Sequence, residues 1–371
     1  MKTFIAALLI AGIVSAQTQP KPIDKDAEKA ATKYVQGLEG RVVPDANFHE
    51  AIISVVFESV SVKKVDLGKL ENLPHLQYIS LEKTTDTDAV LTQLGKLPKL
   101  RALNLAKSSA TSAGMAGVSK LLGLEELVAD GIAFDGDAAT AIAPLAKLTN
   151  LSLKGAKMTE GAAAGLANLA GLRRLSLAET QVTLTAAAGW TRLKNLVFLD
   201  LTDSGVTDAG LKRVGTLPAL AELELVGTKI TDDGLAALSA TRQLKRLTLN
   251  RSEVTGTGID QLSELTRLAD LTVGGKQFSD GGFKRLMSLP ALKRLTIVEP
   301  GITESGWDPL GRLAKLEDLS IEDASITDAG AALLGRLKTL KRVSFEKTKV
   351  TNATVLAMKK TNPDCAVKIE K

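Results

Sequence analysis

A leucine motif returns every 24 residues along almost the whole chain, and no insertion interrupts it. The motif is the triplet Leu-x-x-Leu-x-Leu, complete at Leu220/Leu223/Leu225 and replaced by conservative variants in other repeats. In the same register it runs from Ile52 to Asp364, which is thirteen steps and therefore fourteen strand positions. A fixed period of about 20 to 29 residues with such a motif is typical of a solenoid of stacked repeats.

Each repeat contains the pattern of a short strand followed by a helix. We number positions from the first leucine of the triplet, so that Leu220 is position 1. Positions 4 and 6, such as Leu223 and Leu225, alternate as the inward residues of a strand must. Leu235 and Leu238, at positions 16 and 19, give an apolar helical stripe that faces the strand. The sequence therefore predicts an α/β right-handed solenoid, a horseshoe with parallel strands on its concave face and helices on its convex face.

A second motif recurs between the strand and the helix, as in Ile230-Thr231-Asp232-Asp233-Gly234-Leu235. The threonine is placed to accept hydrogen bonds at the helix N-cap. The aspartate after it lies where a carboxylate favours the helix dipole. We therefore interpret the recurring aspartate as a helix cap and not as a catalytic acid.

Together the two motifs resemble the ribonuclease-inhibitor-like branch of the leucine-rich-repeat proteins. They are more similar still to Cys-free bacterial proteins built from repeated I-T-D-x-G-L units. The resemblance covers about residues 50–371. It implies a leucine-rich-repeat fold and, as a class of function, protein recognition, without naming a partner. Ribonuclease inhibition is not expected, because the Cys-rich repeats of that inhibitor are missing.

The N-terminus has the features of a secretory signal. Lys2 is followed by the apolar run Phe4–Val14 and by the small residues Val14-Ser15-Ala16. This run is too short to span a bilayer, and no other stretch comes close to doing so. We predict a signal peptide at residues 1–16, a mature chain that begins near Gln17, and no membrane span.

Residues 17–48 are predicted to be a linker and an N-terminal capping helix, because the first repeat would otherwise leave its core open. The leucine-rich-repeat domain is predicted at residues 49–371, with its sheet beginning near Ile52–Phe57 and closed by Val367 and Ile369. The apolar face of the capping helix is expected to comprise Ala27, Ala30, Tyr34, Val35 and Leu38.

The cysteine content and the net charge indicate the class of organism and the kinds of partner that are expected. The only cysteine, Cys365, excludes an intrachain disulfide, and exported repeat proteins of animals and plants commonly have disulfides at their ends. A bacterial protein, periplasmic or extracellular, is therefore favoured. The formal net charge is +5, and no Lys/Arg run exceeds two residues, so no nucleic-acid partner is expected. We expect a monomer.

Position 3 of the later repeats alternates in charge. Its members are Glu222, Arg246, Asp270, Arg294, Asp318 and Arg342. Adjacent parallel strands lie about 4.8 Å apart, so each interior member would have an opposite charge on both sides. We predict one row with neighbouring charged groups within about 4 Å of each other. The alternative interpretation is a charged docking surface.

The charged row is interrupted at Phe198. Val197 lies beside it, and Arg174, Asp200 and Glu224 are expected around it. Exposed aromatic residues are scarce here, and an aromatic flanked by an arginine has the composition of an interface hot spot. These five residues form the predicted ligand-binding site. Tyr78 is a second exposed aromatic candidate; the alternative for either is an isolated surface residue without a role.

Catalytic motifs are lacking. The chain has two histidines, His49 and His75, and neither metal-ligand spacing nor a phosphate loop nor a nucleophile elbow. We expect no catalytic residues, no metal and no cofactor. The sequence favours an exported, non-enzymatic module that binds a protein or peptide ligand. A structural component of the cell envelope is the alternative, and a glycan-active protein a more remote one.

Overall fold

The computed structural model describes residues 24–45 and 51–370. The predicted signal peptide lies outside the described residues. The chain divides into two compact units, one of residues 1–133 and 140–151, the other of residues 134–139 and 152–371. We describe each unit separately.

The strands in the described residues are β1 (Arg41–Asp45), β2 (Ala51–Glu58), β3 (Tyr78–Glu82), β4 (Ala102–Asn104), β5 (Glu126–Val128), β6 (Ala133–Phe134), β7 (Asn150–Ser152), β8 (Lys157–Met158), β9 (Arg174–Ser176), β10 (Phe198–Asp200), β11 (Glu222–Glu224), β12 (Arg246–Thr248), β13 (Asp270–Gly274), β14 (Arg294–Val298), β15 (Asp318–Glu322), β16 (Arg342–Glu346) and β17 (Ala366–Glu370). Fourteen of these strands follow one another at the spacing of the repeat, and β1, β6 and β8 lie outside that spacing.

The helical segments are short, and many are 3₁₀ turns. The α-helices are α1 (Lys25–Gln36), α2 (Thr87–Leu91), α3 (Ser112–Val118), α4 (Gly136–Ile142), α5 (Glu160–Gly165), α6 (Asp208–Val214), α7 (Asp280–Arg285), α8 (Asp328–Ala331) and α9 (Asn352–Thr361). The 3₁₀ helices are Leu67–Leu70, Leu94–Lys96, Leu166–Asn168, Ala188–Arg192, Asp233–Ala240, Ile259–Leu262, Leu286–Ser288, Ser305–Arg312 and Ala332–Arg336.

The strands that carry the leucine motif pair in parallel with the predicted register. In the second unit Leu199 lies beside Leu223, and Leu223 beside Leu247, each 24 residues further along the chain. These leucines are fully buried. All fourteen predicted strand positions form strands within the described residues. The leucine-rich-repeat fold with its parallel strand layer and helical layer is therefore confirmed.

The first unit begins with a cap that differs from the predicted one. In α1 the buried residues are Glu28, Ala31 and Val35, whereas Ala30 is exposed, so the predicted apolar face is wrong at that position. The Glu28 carboxylate accepts a hydrogen bond from the Ile52 backbone N–H at 2.9 Å. A buried carboxylate is tolerated because it satisfies this strand donor.

A strand that we did not predict also covers this edge of the first unit. β1 pairs antiparallel with β2, and its register shifts between Val43 and Pro44. Proline cannot donate to a ladder and is therefore confined to edge strands or bulges. Both features make β1 a poor template for a further strand.

The recurring aspartate lies in the first turn of the helical segment, as predicted, and it also links neighbouring repeats. The Asp208 carboxylate accepts two hydrogen bonds from Thr231 of the next repeat, from the backbone N–H at 3.0 Å and from the hydroxyl at 2.7 Å. The same pair of bonds joins Asp88 to Thr111, Asp232 to Thr255, Asp280 to Thr303 and Asp328 to Thr351. We call this contact the Asp–Thr clamp.

The clamp also explains the glycine of the motif. A Cβ atom on Gly234 would overlap the Asp208 carboxylate of the preceding repeat, and one on Gly306 would overlap that of Asp280. Only a residue without a side chain lets the helical segment approach the carboxylate closely enough. The Thr, Asp and Gly of the motif thus form one packing unit spread over two repeats.

Position 8, directly after each strand, adopts positive φ in every described repeat from Ser59 to Lys347. Glycine fills it at some repeats, such as Gly227, but charged residues such as Asp203 and Arg251 fill it at others. Non-glycine residues rarely adopt this conformation. The residue type at position 8 therefore did not predict the left-handed turn that the fold requires in each repeat.

The predicted closing strand is present in the second unit. β17 contains Val367 and Ile369 and pairs in parallel with β16. Both side chains are only partly buried, whereas their counterparts one strand earlier, Val343 and Phe345, are 2% and 0% exposed.

The clamp leads to a steric prediction for Gly234→Ala. The added methyl group should lower the free energy of unfolding by about 1–3 kcal/mol, the range for overpacking a tight site. Urea unfolding should show a smaller cost of the same substitution in an Asp208→Ala background, because the carboxylate that the methyl group meets is gone.

Gly161→Ala is the matched control. Gly161 also lies in the first turn of a helix, but a Cβ there would meet only Thr159 Oγ1 at 3.8 Å. That substitution should be neutral or slightly stabilising, because alanine favours the helix. Equal midpoint shifts for both glycine variants would refute the steric explanation.

Candidate binding surface on the strand layer

The strand layer exposes the side chains of positions 3 and 5, which we call its outer face. In β10 these are Phe198 and Asp200, both half-buried, while Leu199 between them is buried. Because strands pair in register, each position forms a row across neighbouring repeats. In the second unit Phe198 therefore lies between Arg174 and Glu222.

The predicted charged row is present in the second unit. Arg246 bridges Glu222 at 3.4 Å and Asp270 at 3.5 Å, and Arg294 also pairs with Asp270. At its far end Arg342 donates two hydrogen bonds to Asp318, at 2.7 and 2.9 Å. Among the described residues only the step from Arg294 to Asp318 lacks an ion pair within 4 Å. The row thus largely neutralises itself.

Position 2 contains a parallel set of ion pairs in the second unit. Glu317 pairs with Lys293 at 2.8 Å and with Lys341 at 2.5 Å. Hydrogen bonds from these two ammonium groups lower the pKa of Glu317 to about 2. Exposed pairs of this kind contribute little to stability, because solvent and salt screen them. The charged side chains in this part of the outer face are therefore mainly paired with one another.

The interruption at Phe198 has a defined geometry. The guanidinium carbon of Arg174 lies 4.0 Å from the centre of the Phe198 ring. A cation over an aromatic face is attracted by about 0.5–1 kcal/mol at an exposed site. Within residues 24–45 and 51–370 Arg174 makes no ion pair with a carboxylate. Val197, at position 2, is half-buried and adds apolar surface beside the ring.

Two carboxylates lie beside this aromatic pair on the position 5 row. Asp200 and Glu224 are in register on β10 and β11. Asp200 accepts hydrogen bonds from the Ser176 hydroxyl at 2.9 Å and from the Thr202 backbone N–H at 3.0 Å. Each of its two carboxylate oxygens therefore already accepts one hydrogen bond.

Glu224 is the uncommitted member of the predicted site. It is half-buried, and no ion pair within the described ranges includes it. Burial, assisted by the nearby charge of Asp200, raises the pKa of Glu224. The structure thus brings Phe198, Val197, Arg174, Asp200 and Glu224 together. Among the described residues neither of the charged groups of Arg174 and Glu224 has an ion-pair partner within 4 Å, although the charges of Arg246 and Arg174 offset part of the rise in the pKa of Glu224.

Tyr78 belongs to the first unit and has different surroundings. It is half-buried on β3, and its phenol hydrogen-bonds with the side chains of Ser80 and Asn104. Burial raises the pKa of the phenol. Tyr78 is therefore part of a polar cluster and not an exposed apolar anchor.

The first unit contains a residue that we did not predict. Glu126, at position 3 of β5, is only 6% exposed although it occupies the outer face. Burial raises its pKa to about 7, and a hydrogen bond with Asn150 offsets part of that effect. Its neighbour in the row is Ala102, and the next residue is Tyr78. A small residue beside a carboxylate was the only sequence signal, and it is weak.

The second unit also has a groove on the outer face near its last strands. Its volume is about 460 Å³, and the walls include Arg294, Arg342 and Lys368. Hydroxyl residues of position 5, such as Ser320 and Ser344, line its floor, and the Ser344 hydroxyl donates to Ser320 at 2.9 Å. The sequence analysis did not predict this groove, because it assigned the side chains of these strands to mutually paired charges.

The described part of the chain contains neither a cluster of metal ligands nor a helix that could span a membrane. Residues 24–45 and 51–370 contain no group of three or more His, Cys, Asp or Glu side chains placed to hold a metal ion. Over the same ranges no helix is both long and apolar enough to traverse a bilayer.

Comparisons with known proteins agree with the fold. A leucine-rich-repeat family model matches residues 192–215 and 218–239, so the chain contains leucine-rich repeats. An internalin from Listeria monocytogenes is a structural neighbour with a TM-score of 0.53 and 19% sequence identity, covering 94% of this chain and 96% of that one. At this identity the likeness concerns the fold alone.

A leucine-rich-repeat protein from Leptospira interrogans is also similar, with a TM-score of 0.43 and 16% identity, over 81% of this chain and 91% of that one. No curated protein matches the chain in sequence.

The buried Glu126 predicts a pH dependence of stability. Its pKa is about 7 in the folded chain against 4.5 for the ordinary group. Between these values the unfolded chain releases the proton and the folded chain keeps it, so stability falls as pH rises. Glu126→Gln should therefore match the parent near pH 4 and exceed it at pH 8 by on the order of 3 kcal/mol in urea unfolding.

Glu317→Gln provides a control of opposite sign. Because the pKa of Glu317 lies at about 2, its ion pairs stabilise the fold above pH 4.5 and are lost as pH falls toward 2. This variant should therefore be less stable than the parent at neutral pH and equal to it in strong acid. A flat difference between parent and Glu126→Gln over pH 4–8 would show that Glu126 is solvated.

Proposed function

We propose that this chain is an exported, non-enzymatic module that binds a protein or peptide ligand on the outer face of its strand layer. The leucine-rich-repeat fold supports this function as a class, because stacked repeats present extended binding surfaces. A structural role in the cell envelope remains the alternative function.

The contact between Arg174 and Phe198 is the observation that carries the proposal. Elsewhere on the outer face of the second unit the charged side chains largely neutralise one another. Here an aromatic ring, a cation without an ion pair and the half-buried Glu224 lie together. Interface hot spots are enriched in aromatic residues and arginine and are surrounded by polar contacts. Phe198 would be the apolar residue of this chain on which the ligand packs.

Export is the second part of the proposal and rests on the sequence of residues 1–16. Lys2, the apolar run Phe4–Val14 and the small residues before Gln17 support a cleaved signal peptide. Mass spectrometry of the protein from its own cell should give an N-terminus near Gln17 in the periplasm or the medium. A chain that retains Met1 and stays in the cytoplasm would refute export.

Phe198→Ala tests the binding site. The tagged parent should capture a partner from the envelope fraction, and the variant should bind that partner about 1–3 kcal/mol more weakly, the range for loss of an anchor. Calorimetry with the identified partner measures the difference. Thermal unfolding should change little, because the ring lies on the outer face and is not part of the core.

Leu122→Ala is the matched control, since it also shortens a large apolar side chain, and Leu122 is 61% exposed in the other unit. It should bind as the parent does. A third variant, Ser320→Trp, would fill the groove near the last strands. Full affinity in Phe198→Ala together with loss in Ser320→Trp would place the ligand in that groove and refute the Phe198 site.

A further inference from the structure

Basic residues lie along one edge of the strand layer in the second unit. In each repeat this edge is the segment from position 21 to position 2 of the next repeat, directly before a strand. Because β12 to β16 pair in parallel and in register, the five segments before them lie side by side. We call these segments the basic rim; they are residues 240–245, 264–269, 288–293, 312–317 and 336–341.

The basic rim has a large excess of positive charge. It contains nine basic and two acidic residues, a formal charge of +7, whereas the whole chain has +5. The basic side chains are all exposed, and they are Arg242, Lys245, Arg267, Lys293, Arg312, Lys315, Arg336, Lys338 and Lys341. Positions 7 to 10 of the same repeats, at the other ends of these strands, contain four basic and five acidic residues. The positive charge therefore belongs to one edge of the strands.

Most of this charge is not neutralised within the described residues. Arg242 pairs with Glu264 at 2.9 Å, and Lys293 and Lys341 share Glu317. The other six basic side chains of the rim make no ion pair within 4 Å in the described ranges. Two of them donate to backbone carbonyls, Lys315 to that of Pro290 and Lys338 to that of Thr361. The rim thus differs from the charged row on the outer face, whose members largely pair with one another.

Four lysines of the rim surround one recess of about 460 Å³. Its lining includes Lys293, Lys315, Lys338 and Lys341, with Glu317 and Asp364 as the acidic members. The ammonium group of lysine is a compact, strongly hydrated charge that binds phosphate as a point charge. The recess therefore has the composition of a phosphate site at the surface.

We propose that the basic rim docks on a membrane surface rich in anionic phospholipid, with the recess receiving a headgroup phosphate. The rim extends over four strand steps, about 19 Å at the spacing of parallel strands, so several headgroups lie within its reach. A negative membrane surface attracts each nearby lysine or arginine. Because the opposite ends of the strands lack this excess, the attraction would orient the second unit with its rim toward the lipid. This contact is separate from the proposed ligand site at Phe198.

The composition of the rim favours lipid over nucleic acid. The rim contains no aromatic residue, whereas proteins that bind single strands stack the bases on aromatic side chains. Its leucines are buried, so no large apolar side chain of the rim is available to insert into the bilayer. The contact would therefore be electrostatic and reversible by salt.

Cosedimentation with lipid vesicles tests the proposal. The chain that begins at Gln17 is used, because the apolar residues 1–16 would bind lipid themselves. It should bind vesicles that contain phosphatidylglycerol beside phosphatidylcholine, and it should not bind vesicles of phosphatidylcholine alone. Salt at about 1 M should release it, because charges are then screened beyond about 3 Å.

Neutralising unpaired lysines of the rim should weaken this binding. Each basic residue near an anionic surface contributes about fivefold to binding. The triple variant Lys245→Gln, Lys315→Gln and Lys338→Gln should therefore bind the anionic vesicles about a hundredfold more weakly, and Lys315→Gln alone about fivefold. Thermal unfolding of both variants should match the parent, because these side chains are exposed and make no ion pair in the described ranges.

Lys229→Gln, Lys276→Gln and Lys349→Gln together form the matched control. These lysines of the second unit are also exposed and lie at the other ends of the strands, and the change in net charge is the same. This variant should bind the anionic vesicles as the parent does. An equal loss in the two triple variants would overturn the proposal, because net charge and not the rim would then be responsible.

The identity of the ligand has its own controls. A parent that does not bind the anionic vesicles, or that binds phosphatidylcholine vesicles equally well, would overturn the proposal. Tighter binding of the parent to a DNA or RNA oligonucleotide than to the anionic vesicles would assign the rim to nucleic acid instead. Release by millimolar inorganic phosphate at constant ionic strength would show that the recess takes free phosphate, which would also overturn docking on lipid.

Discussion

The Asp–Thr clamp links neighbouring repeats on the helical layer at five steps within the described residues, as backbone hydrogen bonds link them on the strand layer. In each clamp one carboxylate of a repeat satisfies the N–H and the hydroxyl of the threonine in the next. Thr351 bonds to Asp328 in this way and lowers the pKa of that carboxyl, so the contact strengthens as the group ionises. Both layers therefore advance by the same step, and a constant repeat length is needed for the two to stay aligned.

Because the repeat length is constant, side chains at the same position of successive repeats form rows across the outer face. The neighbours of a charged side chain in its row determine whether it is available to bind a partner. A charged side chain with an opposite charge on each side, such as Arg246, has little to gain from a ligand, because its ion pairs must first be broken. Glu224 makes no ion pair within 4 Å in the described residues, and burial, the main cause of its raised pKa, leaves its charge poorly solvated. A cationic group brought there by a ligand would stabilise that charge, which is how electrostatic complementarity gives specificity.

Sequence periodicity predicted the strands and the charged row because both depend on a residue and its equivalent 24 residues away. Leu247 and the ion pairs of Arg246 are examples. The sequence did not predict features that depend on contacts between residues at different repeat positions or outside the repeat. The Asp208 carboxylate binds a residue outside its own repeat, β1 lies outside the repeat, and Glu126 is buried by side chains whose packing no pattern encodes. Asp203 takes a left-handed conformation imposed by the fold and not by its own preference.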